Sequence, residues 1–207
     1  MESTFQKRIF TPGLFFADIA YITKNLPAII AALQSKRISR AFAEKIMLAA
    51  TAVNECTLCA RFHSEMAYKS GVDRSEVISL LNMDLSGRTS SSKEMTALIY
   101  AQHYAETSGN PSQEMKDRLI NEYGKEMSTD IMLITRLIIF ANLSGNTFSA
   151  FTSRMKGIRA PGSHICFELF FVSLSAPIII PSLLYLRTKK NKFNFAASRK
   201  DKQLSDN

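Results

Sequence analysis

The sequence predicts an all-α fold, on three observations. The main body divides into apolar or amphipathic stretches of helical length. Cap residues, prolines and glycines stand at the ends of those stretches. No segment alternates like a strand or carries a hairpin turn.

Taken in order, Thr11-Pro12 is a cap followed by proline at the first helical position, and an apolar run continues to about Leu33. Pro27 should kink or split it. Residues 38–53, rich in Ala, Met and Leu, form the next helix. Asn54 is placed to cap a third, which ends at Gly71. Asp73-Arg74-Ser75-Glu76 resembles a capping box and opens a short helix through Leu81. Ser86 to Ser92 reads as a loop. Ser91-Ser92-Lys93-Glu94 is a second capping box, and its helix stops at Gly109-Asn110-Pro111. Pro111 then opens an amphipathic helix to Gly124, with Met115, Leu119, Ile120 and Tyr123 on one face. A long, very apolar helix follows over about 129–156.

Gly157 to Ser163 breaks that helix. Ile165 to Leu186 is a run of 22 residues with one charge, Glu168. It is long enough to cross a bilayer core. Glu168, Pro177 and Pro181 suit an ideal span poorly, so a helix packed against an oligomer is the alternative. A basic cluster follows at Arg187, Lys189, Lys190 and Lys192, and the remainder to Asn207 is polar and expected to be disordered. The organisation expected is one helical domain over residues 1–157 and a C-terminal extension over 158–207, holding the hydrophobic segment and the basic tail.

The chain has 207 residues, 46% hydrophobic and 21% charged, which suits a packed core. Its formal net charge is +8. Residues 1–163 hold 19 Lys/Arg against 15 Asp/Glu, and residues 164–207 hold 7 against 3, so about a fifth of the chain carries half the excess. The larger part has an ordinary mixed surface without a basic helix, and nucleic-acid binding is not expected. Met1 to Arg8 is polar and charged, so no secretory leader is expected. Three cysteines do not make a disulfide-stapled scaffold; a CxxC in such a chain points to redox or metal chemistry.

That CxxC lies in Asn54-Glu55-Cys56-Thr57-Leu58-Cys59-Ala60-Arg61-Phe62-His63. On a helix, Cys56, Cys59 and His63 fall within about 60° of arc and share a face. With Asn54 as cap, Cys56 sits in the first turn, where the helix dipole favours thiolate. A thiolate attacks peroxides and disulfides, a second cysteine three residues away can close a disulfide on a sulfenic acid, and His63 can take the thiol proton. Glu44, among Phe42, Ala43, Ile46, Met47 and Leu48, is exposed or buried with a partner. Beside His63 it would orient the imidazole or relay a proton. Two other readings of the cysteines are a packed helix face and a zinc site. His103 reads as a surface or interface histidine. Asn142 and Asn146 would cap or hydrogen-bond across a subunit interface. Ala141, Ser144, Gly145 and Ser149 suit close helix packing. His164 and Cys166 are given no role.

Glu44, eleven residues, Cys56-Thr57-Leu58-Cys59, three residues and His63 resemble the motif of the alkyl hydroperoxidase D-like family, within the carboxymuconolactone decarboxylase superfamily. The surrounding FAEKIMLAATAVNECTLCARFHSEMAYKSGV resembles that family's core helix pair, and ANLSGNTFSAFTSRM a later helix of some members. The likeness covers about residues 12–157. It implies a helical hydroperoxidase D-like bundle, assembled as trimers or hexamers, with thiol-dependent peroxidase or disulfide-reductase activity. It implies Cys59 as the peroxide-attacking cysteine, Cys56 as the resolving one, and Glu44 and His63 as a proton relay. The dipole alone would favour Cys56 as the more acidic thiol. Leu58 stands where some members have a histidine. The expected partners are a hydroperoxide and an external thiol or dithiol reductant, with no metal or organic cofactor, in the cytoplasm, with membrane association through 165–186 as the further expectation. The rival readings are a carboxymuconolactone decarboxylase-like lyase and a non-enzymatic metal-binding or redox-sensing module.

Overall fold

The computed structural model describes residues 5–85 and 92–187. The expected loop at Ser86 and the cap at Ser91 lie outside the described residues, as do Lys189, Lys190, Lys192 and the polar remainder. The fold is all-helical, and among the described residues there are eight helices and no strand. They are α1 (Pro12–Lys24), α2 (Leu26–Gln34), α3 (Arg40–Asn54), α4 (Thr57–Lys69), α5 (Arg74–Leu81), α6 (Ser92–Glu106), α7 (Gln113–Arg154) and α8 (Ile165–Arg187).

Helix α3 is the axis of the bundle and packs on α4, α5, α6 and α7. Ser39 starts it by accepting a hydrogen bond from the Phe42 amide. Its inner residues Ile46, Leu48, Ala49, Ala50 and Ala52 are fully buried, and the alanines let neighbouring helices come close on several sides. Pro27 does split the first apolar run. The break falls at Asn25, and α1 and α2 meet at a 68° bend with the proline in the first turn of α2. Gly124 also acts as expected: its φ of 73° interrupts α7 in a conformation that glycine adopts without a Cβ penalty.

Several sequence expectations are corrected. Asn54 is the last residue of α3 and caps nothing; Glu55 follows it in the left-handed conformation, and Cys56 is the N-cap of α4. Asp73 makes no side-chain cap bond at α5. The Glu76 carboxylate instead reaches the Lys45 ammonium at 2.7 Å, and Glu94 reaches the same group at 3.0 Å. The amphipathic helix begins at Gln113 behind the cap Ser112, two residues after Pro111. Ile120 on that helix is exposed rather than buried with Leu119. Asn142 and Asn146 are buried inside one chain, not at a subunit interface. Their partners are Thr51 on α3 for Asn142, and the carbonyls of Asn54 and Arg8 for Asn146.

The final helix lies over α7 and part of α4. Its first turn is fixed by a two-bond ion pair from Arg154 to the buried Glu168, at 2.7 and 3.0 Å. Its last turn is held from α4, where Arg61 donates to the Leu186 carbonyl and Lys69 to the Tyr185 hydroxyl. Between these ends, Phe171 joins Phe10, Phe15 and Phe167 in a cluster of ring contacts. Both α7 and α8 are long and apolar enough to cross a membrane. The apolar window of α7 is 61% buried within the protein, whereas that of α8 is 17% buried. So α7 is consumed by the fold and α8 presents most of its surface outward.

Lys45 ties α3 to α5 and α6 through its two carboxylate partners. Desolvation lowers its pKa, but the hydrogen bonds it donates to Glu76 and Glu94 outweigh this and raise it overall. A lysine raised on folding stabilises fully below its ordinary range, and that contribution fades as pH climbs through the raised value. Lys45→Ala removes the shared cation and should cost about 2–3 kcal/mol at neutral pH, read as a lower urea midpoint by far-UV circular dichroism. An unchanged midpoint would show that the cluster is not a fold determinant.

Candidate functional site

The chain turns sharply at Glu55, whose backbone φ is 54°, and this single left-handed residue sends α4 away from the end of α3. Cys56 caps the new helix. Its sulfur accepts a hydrogen bond from the Cys59 amide at 3.3 Å. That amide is one of the unpaired N–H groups of the first turn, so the positive end of the α4 dipole faces the Cys56 sulfur. Cys56 and Cys59 are joined as a disulfide, with Cα atoms 5.3 Å apart.

Glu44 projects from α3 to meet His63 on α4. The carboxylate oxygen lies 2.7 Å from the imidazole Nδ1. The Arg40 guanidinium stands 3.9 Å from the other carboxylate oxygen, one turn back on the same helix. An imidazole that donates from Nδ1 to this carboxylate leaves Nε2 for chemistry. Glu44 is thus buried with a partner, the second of the two alternatives that its neighbours allowed.

Helix α7 closes the back of the site. Gly145 is the point of contact: a Cβ there would stand 2.6 Å from the Cys56 sulfur and 3.5 Å from the Cys59 sulfur. The Ala141 carbonyl is 3.5 Å from the Cys59 sulfur and would accept a bond from the reduced thiol. One turn on, Asn146 grips the Asn54 carbonyl at 2.8 Å, and Thr51 donates to Asn142 at 3.0 Å. These buried bonds clamp α7 to the end of α3, next to the turn that aims Cys56.

In front of the sulfurs is a cavity of about 540 Å³. Cys59 and His63 are in its wall, together with Leu58, Phe62, Phe140 and Gly145. Cys56 is not, and it is 1% exposed against 7% for Cys59. Helix α1 contributes Phe15 and Ile19, and α8 contributes Phe171, Leu174, Ser175, Ile178, Ile179 and Ser182. Among the described residues no lysine, arginine or acidic side chain lines it. A second, more polar cavity lies on the other side of Glu44 and is bordered by Ser35, Lys36, Ser39 and Arg40.

All four residues singled out by the motif, Glu44, Cys56, Cys59 and His63, therefore come together, as one pair of sulfurs and one carboxylate–imidazole pair. His103 lies apart and accepts a bond from the Ser112 amide at the start of α7. Among the described residues no group of three or more His, Cys, Asp or Glu side chains is arranged to hold a metal ion. The sequence reading missed the cavity walls from α1 and α8. It noticed the small residues of α7, but the partner of Gly145 is the sulfur pair.

Residues 22–103 match the Carboxymuconolactone decarboxylase family. The matched stretch runs from the end of α1 through most of α6, with all four motif residues inside it. Gly145 and α8 lie beyond the match. No curated protein and no solved structure gives a significant match to the chain.

Gly145→Ala tests the contact that seats the sulfurs. The added methyl forces α4 and α7 apart, and overpacking of this kind costs about 1–3 kcal/mol. The expected outcome is a lower thermal midpoint and slower closure of the Cys56–Cys59 disulfide by a chemical oxidant. Wild-type stability and closure in this variant would mean that the two helices have slack there.

Proposed function

We propose that the protein is a thiol-dependent peroxidase or dithiol–disulfide reductase, with Cys59 attacking and Cys56 resolving. The observation that carries this reading is the placing of Cys59 and His63 on the wall of one cavity, with Cys56 bonded behind. In the first step the Cys59 thiolate attacks the outer peroxide oxygen. The O–O bond breaks, the alcohol leaves with a proton, and Cys59 becomes a sulfenic acid. His63, held by Glu44, takes the thiol proton and returns it to the leaving oxygen. Cys56 then attacks the Cys59 sulfur and expels water, giving the disulfide. An external dithiol restores the pair: its first thiolate attacks the Cys59 sulfur at the cavity wall, Cys56 departs as a thiolate facing the α4 amides, and the donor's second thiol then displaces Cys59 from the mixed disulfide. The balance is one hydroperoxide and two thiols to one alcohol, one water and one disulfide.

This assignment gives the α4 dipole a use that does not compete with attack by Cys59. The dipole makes Cys56 the better leaving group, while access makes Cys59 the nucleophile. The family match favours a second reading, a lyase acting on a small carboxylated lactone. Among the described residues no lysine or arginine lines the cavity, which fits a carboxylate poorly.

The proposal places the protein in a reducing cytoplasm as a homo-oligomer, an assembly suggested by the family resemblance, without a nucleic-acid partner. We place the outer face of α8, where Leu169, Ile180 and Leu184 are exposed, in the interfacial layer of a membrane. Membranes washed in alkaline carbonate decide between occupants. Protein released by the wash but held at neutral pH fits a helix lying on the bilayer. Protein that never sediments with lipid and forms larger assemblies would give that face to a second copy.

Cys59→Ser should abolish peroxide reduction. Cys56→Ser should stop after one turnover, with sulfenic acid on Cys59 captured by dimedone and located by mass spectrometry. Steady turnover by Cys56→Ser would remove it from the resolving role. Glu44→Gln and His63→Gln should each slow peroxide-driven disulfide formation by about ten- to a thousandfold while helicity is kept. Wild-type rates in both would take the pair out of proton transfer.

A further inference from the structure

The mouth of the Cys59 cavity lies between α1 and α8. Ile19, Leu174 and Ile178 line the cavity and are also 38%, 57% and 74% exposed, so they mark where it meets the outside. At one end of the opening the exposed Phe16 and Phe170 rings touch, with centroids 6.2 Å apart. Phe170, Leu174 and Ile178 recur at i, i+4 and i+8, and form the edge where the cavity side of α8 turns into its outer face. The opening is thus set in one exposed apolar surface shared by two helices, and a contiguous surface of this kind marks an interaction site.

Charge decides what covers it. Residues 155–192 hold six Lys or Arg and one carboxylate, Glu168, which Arg154 already neutralises. Lys156 and Arg159 precede α8 and are exposed, and Arg187, Lys189, Lys190 and Lys192 stand at and beyond its other end in the sequence. On α1, Asp18 is paired with Arg136. Pairing this face with itself sets cations against cations whichever way two copies are turned. An anionic bilayer supplies the opposite charge at headgroup level and hydrocarbon beneath it. Cations at both ends suit a helix lying flat. Both ends are also tied to the body, by Arg154 to Glu168 and by Arg61 to the Leu186 carbonyl.

We infer that the α1–α8 face docks on an anionic phospholipid bilayer with the mouth of the Cys59 cavity turned into the acyl layer, so that the site is entered from the membrane and not from water. This rests on the interfacial placement of α8 given above and goes further, since it adds α1 and the mouth; it needs no peroxide chemistry.

The chain has no tryptophan, so single reporters can be set by substitution at exposed positions. They are Ile178→Trp at the mouth, Leu184→Trp on the outer face of α8, and Ile120→Trp on α7 before the Gly124 break as the control. Each full-length protein is mixed with vesicles of phosphatidylglycerol and phosphatidylcholine, the latter brominated high on its acyl chains. All three should sediment with the vesicles at low salt, and emission at positions 178 and 184 should fall to about half or less while that at 120 holds. Leu174→Asp puts a charge at an exposed position, and should lower the bound fraction by about tenfold; vesicles of phosphatidylcholine alone should bind wild type as poorly. Far-UV circular dichroism verifies each variant, and Leu174→Trp replaces Ile178→Trp if that one does not fold. Quenching at 184 without quenching at 178 would overturn the buried mouth and leave the placement of α8 standing. Wild-type binding by Leu174→Asp would overturn the mouth in the same way, and equal binding to phosphatidylcholine alone would overturn the choice of an anionic surface. Protein that stays in the supernatant, or in which 120 is quenched at least as much as 178, would overturn the inference and the placement of α8 together. Larger assemblies in that supernatant would give the face to a second copy. The peroxidase reading survives each of these results, because no peroxide is used.

Discussion

A side chain at position 145 has nowhere to go, because the Cys56 sulfur occupies the space where its Cβ would be. That close approach of α7 to the first turn of α4 sets the depth of the whole site. It presses Cys56 into the interior and leaves Cys59 at the cavity wall. It also brings the Ala141 carbonyl to the Cys59 sulfur. The approach holds because Asn146 and Asn142 tie α7 to α3 through buried bonds that water cannot replace. Shift α7 outward by the thickness of a methyl group, and the sulfurs lose their backing and their orientation together.

The two sulfurs differ chemically although they are three residues apart. Cys56, as N-cap, receives the amide of Cys59 and the field of thirteen aligned peptide units. Cys59 receives the cavity and the neighbourhood of the imidazole. One break in helical backbone at Glu55 produces this division. Had the helix continued through residues 54–63, both sulfurs would share a face and a similar environment.

Much of this was legible in the sequence. Pro27, Gly124 and the absence of strand patterns give the helices and two of their breaks, because proline and glycine act locally on φ and on the N–H supply. The Glu44, Cys56, Cys59 and His63 set could be read because its members lie on adjacent helices at fixed spacing. The position of Cys56 could not. Asn54 is a good cap by type, yet here the buried Asn54 carbonyl is claimed by Asn146, 92 residues away, and α3 runs one residue further. Glu76 shows the same limit. Its spacing from Asp73 suits a local cap, but Lys45 across the interface offers a full charge. The wall from α8 was hidden for a different reason. A uniformly apolar helix has no stripe to say which face turns inward, and Glu168 reveals its direction only once Arg154 is seen beside it.

Two cavities border the carboxylate–imidazole pair. His63 borders the apolar chamber, and Glu44 borders the polar one beyond it. A guest filling the first cavity leaves the second, bordered by Ser35, Lys36, Ser39 and Arg40, open. On the proposed peroxidase reading the acid–base pair is a partition wall, with the peroxide met on the His63 side and solvent reached on the Glu44 side.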